Sequence, residues 1–318
     1  MRDNKQGDSS ATRLQRTIEN RERAACEARE RRQQAIIGVI VVIIVAAMLA
    51  AVGITAYQAA YVQPQKKIEQ SAKSNHNLDN IDPSIRPSGV NSKNGILISK
   101  DGYGKKAAGA PTVATYFDPL CPGCGNFNRT VDETLIKMVE AGQINLELHP
   151  MSFLDGLSTD HYSTRVSSAI AYIASYDNDP KHLLKFINSI FSEKFQPEEG
   201  EGYKPVSNKE LIKLAEKSGI PDKVASKAFN RQYLKWQLLV NKYTPDRKEL
   251  WNVSGSNKGS MTTPTVTIND KLLDMNAINE KKMKVLDALL HCIGLDKKQV
   301  GVAGKMPKVS DTSSPIAL

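Results

Sequence analysis

Two cysteines with two residues between them, Cys121-Pro122-Gly123-Cys124, are the side chains of this chain best suited to covalent chemistry. Thiol–disulfide exchange begins when a thiolate attacks a sulfur. An unperturbed cysteine, with a pKa of about 8.5, is mostly protonated at neutral pH. A helix N-terminus changes that, because its free N–H groups and its dipole favour the thiolate. Pro122 suits a first helical turn, where its missing N–H costs nothing. Gly123 removes side-chain bulk between the sulfurs. The pattern therefore assigns Cys121 as the exposed attacking sulfur and Cys124, one turn along, as the buried resolving one. Asp118, three residues earlier, is either an acidic neighbour of the pair or a turn residue.

The flanking residues predict what positions this pair. Val113 to Phe117 is β-branched and aromatic and reads as a strand. Phe127, Val131, Leu135 and Met138 recur at helical spacing, predicting a helix from about Gly123 to Ala141 with one buried face. Ile96 to Ser99 is a short strand, and Ile144, Leu146 and Leu148 alternate as another, ending at Pro150. Residues 158 to 243 read as successive helices. Ser207 and Glu210 form a capping box, and Val206 and Leu211 the hydrophobic staple beside it. Lys223 to Tyr243 reads as one long helix. Pro264 opens a strand through Ile268, Asn269-Asp270 turns it, and Lys271 to Leu273 returns. Asn276 to Ile293 reads as the last helix, with Gly294 past its end.

Before this domain lies a different kind of chain. Ala35 to Tyr61 carries no charge, and Ile36 to Ala51 is almost wholly apolar. About 20 apolar residues suffice to cross a bilayer. Arg21, Arg23, Arg29, Arg31 and Arg32 precede the stretch, and only Lys66, Lys67 and Lys73 follow at comparable distance. The positive-inside rule then places the N-terminus in the cytoplasm and the bulk of the chain outside. A cleaved signal peptide has a shorter apolar run, about 7–15 residues. The expected organisation is a cytoplasmic basic tail (1–34), a transmembrane signal anchor (35–62), a flexible tether (63–93), a folded domain (94–296) with a helical insertion at about 156–245, and a disordered tail (297–318). The expected location is the cell membrane, single-pass, with the folded domain extracytoplasmic.

Composition narrows the function further. Four cysteines, Cys26, Cys121, Cys124 and Cys292, are too few for a disulfide-stapled scaffold. The net charge of +9 is spread along the chain with no basic stripe among aromatics, which argues against nucleic acid. A structural zinc site usually needs four ligands. His149, His161, His182 and His291 are scattered, and no second cysteine pair exists. Cys26 reads as an idle thiol, and Cys292, on an apolar helix face, as a small buried hydrophobe.

Two motifs together carry a resemblance: Phe117-Asp118-Pro119-Leu120-Cys121-Pro122-Gly123-Cys124, and Thr263-Pro264-Thr265-Val266-Thr267-Ile268-Asn269. Over roughly residues 94 to 295 the chain resembles DsbA-like thioredoxin-fold proteins of the membrane-anchored bacterial type. The resemblance implies an α/β thioredoxin-like fold with a helical insertion, preceded by one N-terminal transmembrane helix. It implies that Pro264 is cis and lies across from Cys121, leaving Thr263 free to pair with an extended substrate strand. By sequence alone, Pro264 could equally be a proline that opens a strand. The implied activity is protein thiol–disulfide exchange without a cofactor, donating disulfides to exported proteins with cysteine thiols. A membrane redox partner, quinone-linked, would reoxidise the dithiol. Two departures leave the direction of electron flow open. The central dipeptide is Pro-Gly where the most oxidising members have Pro-His, and Thr115 stands where many relatives have a buried carboxylate. A reductase fed by an electron donor, or a disulfide isomerase, would use the same residues. A non-catalytic binding or scaffold module with a structural disulfide is the reading from another class.

Overall fold

The computed structural model describes residues 81–318. The expected basic tail, the transmembrane segment, Cys26 and most of the tether lie outside the described residues. Among the described residues, no helix is long and apolar enough to cross a membrane.

Six strands form one sheet in the order β2-β1-β4-β3-β5-β6. They are β1 (Ile96–Ser99), β2 (Gly102–Tyr103), β3 (Thr112–Phe117), β4 (Asn145–Pro150), β5 (Thr265–Ile268) and β6 (Lys271–Leu273). The central strands β3 and β4 run parallel, with Val113 opposite Leu146 and Phe117 opposite Pro150. The other pairs are antiparallel. A parallel pair needs a crossover, and α1 (Pro122–Glu140) supplies it. The spacing read from sequence marks its inner face: Phe127, Val131, Leu135 and Met138 are all buried. Asn269 and Asp270 both take positive φ, 47° and 68°, the geometry of a tight hairpin between β5 and β6.

The two faces of the sheet differ. Leu146 and Leu148 of β4 share one face with Thr115, against α1. The alternate residues Glu147 and His149 form a buried pair, 2.7 Å apart. His149 stacks on Tyr116 with ring centroids 4.0 Å apart, and the Tyr116 hydroxyl accepts a bond from Arg247. Burial opposes the ionisation of Glu147, but His149, the Asn91 side chain and the Lys93 charge together outweigh it and hold the carboxyl down at about 2. Gly95 is what lets the chain cover this pair. A Cβ there would lie 2.5 Å from both side chains.

Five helices occupy the stretch between β4 and β5: α2 (Tyr162–Tyr176), α3 (Pro180–Ile190), α4 (Asn208–Lys217), α5 (Asp222–Ala228) and α6 (Leu234–Tyr243). The capping box of Ser207 and Glu210 starts α4. Helix α6 docks on the sheet end through Trp236, whose indole donates to Asn94, and Gln237, which donates to the Pro150 carbonyl. Two further helices, α7 (Met275–Glu280) and α8 (Val285–Ile293), follow the hairpin.

The structure corrects four expectations. The long helix expected over Lys223–Tyr243 is two, α5 and α6, broken where Arg231 takes φ 68° and the Asn230 side chain accepts the Gln232 N–H. The helix expected over Asn276–Ile293 is likewise two, α7 and α8, with Lys282 at φ 53° between them. Apolar spacing continues in phase across both breaks, so periodicity alone hid them. The tether ends earlier than expected, because Ile81 is already buried in the core and Val90 bridges to Ile96. The tail is packed and not disordered. Gln143 donates to the carbonyls of Gln299 and Lys305 and accepts the Gly301 N–H. Farther on, Ile316 donates to the Leu272 carbonyl on the outer edge of β6 and buries its side chain. An edge strand leaves unpaired backbone groups, and the tail covers them.

That contact generates a test. Ile316→Ala should lower stability by about 2–3 kcal/mol, as expected when a buried isoleucine is truncated. Denaturant midpoints of the two proteins check it. A disordered tail would leave the midpoint unchanged.

Candidate active site

β3 delivers the chain to the cysteines, and a turn does the aiming. Cys121 donates its N–H to the Asp118 carbonyl at 3.0 Å and takes extended angles, φ −67° and ψ 121°, as the N-cap of α1. Pro122 is the first helical residue. The Cys121 sulfur therefore stands over the open N–H groups of the first turn and accepts from the Cys124 N–H at 3.4 Å. Cys124 points inward, fully buried, while Cys121 keeps 7% of its surface. The Cys124 sulfur accepts the Asp118 N–H at 3.4 Å. Both cysteines are free thiols in this structure.

The environments separate the two thiols. The Cys124 thiol donates to the Cys121 sulfur, and this is the main reason the Cys121 pKa falls to about 7. Burial opposes that shift, and the Cys124 N–H and Thr263 add to it. Burial pushes the Cys124 thiol well above its ordinary value, and its service as donor to Cys121 pushes it further. The attacking sulfur expected to be exposed is itself largely covered, since Cys121 counts among the buried residues, but its thiolate is the favoured one of the two. The other is protonated and enclosed.

Pro264 closes the other side of the site. The Thr263–Pro264 peptide is cis. The Cys121 sulfur lies 3.4 Å from the Thr263 carbonyl, and the Thr263 side chain favours its thiolate. A Cβ on Gly123 would stand 3.3 Å from the Pro264 ring and 3.6 Å from the Cys121 sulfur. The small residue is what lets the proline loop come this close. Beyond it runs a groove of about 370 Å³ lined by Phe127 and Met275, by Thr262, Thr263 and Pro264, and by a set of asparagines that includes Asn126 and Asn276. None of its lining residues carries a charge.

Asp118 is more than a turn residue. Its carboxyl is buried and accepts from Leu120 N–H, Leu154 N–H and the Ser163 hydroxyl. It thus ties the cysteine turn to the loop after β4 and to α2. Burial raises its pKa to about 6 against the pull of these three donors. The structure brings Asp118, Cys121, Pro122, Gly123, Cys124, Thr263 and Pro264 together in one place.

Two participants were missed from sequence. Asp132 of α1 lines a cavity of about 20 Å³ with Thr115 and Asn128, room for one water. No hydrogen bond or ion pair meets Asp132 among the described residues, and burial alone raises its pKa to about 8. The i, i+4, i+8 spacing of Cys124, Asn128 and Asp132 was the available signal; a charged residue on an otherwise apolar helix face is unusual. Gln196, in the loop after α3, donates to the Cys121 carbonyl at 2.9 Å. Nothing local in the sequence marks it. Cys292 is buried on α8. Among the described residues no group of acidic, histidine and cysteine side chains could hold a metal ion.

A family model described as thioredoxin matches residues 102–288. The serine/threonine-protein kinase PknE of Mycobacterium tuberculosis is 34% identical over 106 residues, which are 33% of this chain. The chain spans only 19% of the length of that kinase. Among solved structures, the oxidised DsbA of Mycobacterium tuberculosis is 23% identical, with a TM-score of 0.47 over 59% of this chain and 91% of that one. The thiol-disulfide oxidoreductase MdbA of Actinomyces oris is 21% identical, with a TM-score of 0.47 over 65% of this chain and 88% of that one.

Asp132 gives a pH test. Its folded pKa, about 8, lies above the unfolded value of 3.8, so the folded protein keeps a proton that the unfolded chain loses between these values. Stability should therefore fall as pH rises across this window. Asp132→Asn should remove that fall. Because Asp132 keeps partial exposure, the expected gain at pH 8 is on the order of 1–2 kcal/mol, with little gain near pH 4. Urea midpoints at the two pH values check this, and a gain that does not grow with pH would rule it out.

Proposed function

The chain belongs to the thioredoxin family, and on that premise we propose that it is a membrane-anchored, extracytoplasmic thiol–disulfide oxidoreductase that donates disulfides to exported proteins. The observation that carries this reading is the division of labour between the sulfurs. Cys121 has its thiolate stabilised at the start of α1, while Cys124 holds its proton beneath it. A stabilised thiolate favours the reduced protein, which is the direction that disulfide donation needs.

The exchange starts from the Cys121–Cys124 disulfide. A substrate thiolate attacks the Cys121 sulfur, the bond between the two cysteines breaks, and Cys124 leaves with the electron pair and takes a proton. A second substrate thiolate attacks the substrate sulfur of the mixed disulfide, and Cys121 leaves as the thiolate. The substrate loses two electrons and gains a disulfide, and the protein gains a dithiol. Cys121 is the better leaving group of the two because its thiolate is the more stable. A membrane partner of quinone-linked type then accepts the two electrons.

The Thr263 backbone beside the cysteines suits an extended segment of substrate, by strand addition. The groove next to it offers carboxamides and hydroxyls without charges. An unfolded, newly exported chain fits that surface through backbone hydrogen bonds, with little demand on its charge. Residues 35–62 would hold the domain at the membrane, and the stretch that follows would give it reach.

The reading predicts distinct phenotypes for the two cysteines. Cys121→Ser should abolish oxidation of a reduced cysteine-pair peptide. Cys124→Ser should accumulate mixed disulfides visible on non-reducing gels. The equilibrium potential against glutathione, measured on the full chain, should lie above about −200 mV. A value at or below about −270 mV would mean a reductant or a structural bond, and would overturn the direction proposed.

A further inference from the structure

Gln196 reaches the active site from outside the thioredoxin core. It follows α3 in the helical insertion, on a turn held by the Phe195 and Gln196 N–H groups, both donating to the Ser192 carbonyl. Its Nε2 donates to the Cys121 carbonyl at 2.9 Å and lies 3.4 Å from the Pro119 carbonyl. Its Oε1 accepts from Arg129 at 3.1 Å. Arg129 is fixed in turn by the Phe191 carbonyl at 2.7 Å and by Asn126. The guanidinium can only donate, so the amide must turn its oxygen to Arg129 and its nitrogen to the cysteine backbone.

Gly125 is the independent mark of this contact. It lies inside α1 at an ordinary negative φ, where glycine costs about 1 kcal/mol against alanine. A Cβ there would stand 2.0 Å from Gln196 Oε1 and 2.8 Å from the Arg129 guanidinium. A side chain there would push aside the tips of Gln196 and Arg129, so the glycine leaves the amide its place.

We propose that Gln196 is a positioning residue that locks the carbonyl end of Cys121 and hands it the positive charge of Arg129, so that the helical insertion tunes the reactivity of the attacking sulfur. The proposal rests on the reading of Cys121 as that sulfur. Cys124, Thr263 and Asp118 act on the sulfur directly. Arg129 acts through the amide.

The test is the pH profile of alkylation of Cys121 by iodoacetamide in the reduced full chain, read on the peptide that carries it. Gln196→Glu replaces the donated N–H with a carboxylate that pairs with Arg129, and should raise the thiol pKa by about one unit, or about tenfold slower alkylation near pH 6. Gln196→Met keeps the length without the hydrogen bonds, and should shift the profile the same way by less. A folded Gln196→Met protein with the parent profile overturns the proposal, even if the glutamate variant fails to fold. Alkylation needs no protein substrate. A parent that titrates near pH 7 but oxidises no peptide would sink the oxidoreductase reading and leave this one standing.

Discussion

Two sulfurs one helical turn apart compete for one proton, and the hydrogen bonds around them outweigh burial and the Asp118 charge so that Cys121 is the one to lose it. A thiolate needs donors, and the open end of α1 supplies them at its first turn. A thiol needs enclosure, and the buried side of the same turn supplies that. The pair would titrate alike if both faced solvent. Their separation depends on the depth of Cys124, which depends on α1 lying flat on β3 and β4 through Phe127, Val131, Leu135 and Met138. The apolar packing of one helix face is thereby converted into a difference in acidity.

The helical insertion does more than cover the sheet. Asp118 receives the Ser163 hydroxyl from α2, and the Cys121 carbonyl receives Gln196 from the loop after α3. Both contacts bear on the backbone that aims the sulfur. An insertion that only widened the surface would have no need of a glycine at position 125. Buried polar groups raise the stakes of a fold, since each unmade bond costs about 1–3 kcal/mol. Asp118 is one of them, and it sits at the cysteine turn, where orientation matters most.

Elsewhere the protein carries polar groups that the chemistry does not explain. His149 bonds Glu147 through one ring nitrogen, and the other has no partner among the described residues. Burial pushes the imidazole below its ordinary value, against the pull of Glu147. With Tyr116 and Arg247 it joins the polar face of the sheet to the segment that leads back toward the proline loop. Thr115 lines one small cavity from the strand side, and Asp132 lines it from the helix side.

The sequence alone made the cysteine pair, its helix, its strand and the proline strand legible, because each rests on local rules: apolar spacing, capping and the conformational limits of proline and glycine. It did not show that Cys121 would be largely covered as well as Cys124, because that cover comes from the distant Thr263–Pro264 segment. The breaks at Arg231 and Lys282 stayed hidden because one left-handed residue does not disturb an apolar pattern. The packed tail stayed hidden because its anchors, Gln143 and the edge of β6, are distant in sequence and generic in type. Gln196 stayed hidden for the same reason, and Gly125 looked like an ordinary helix residue until the amide opposite it was seen. Local patterns report what a residue prefers; only the tertiary structure decides which distant backbone its side chain will meet.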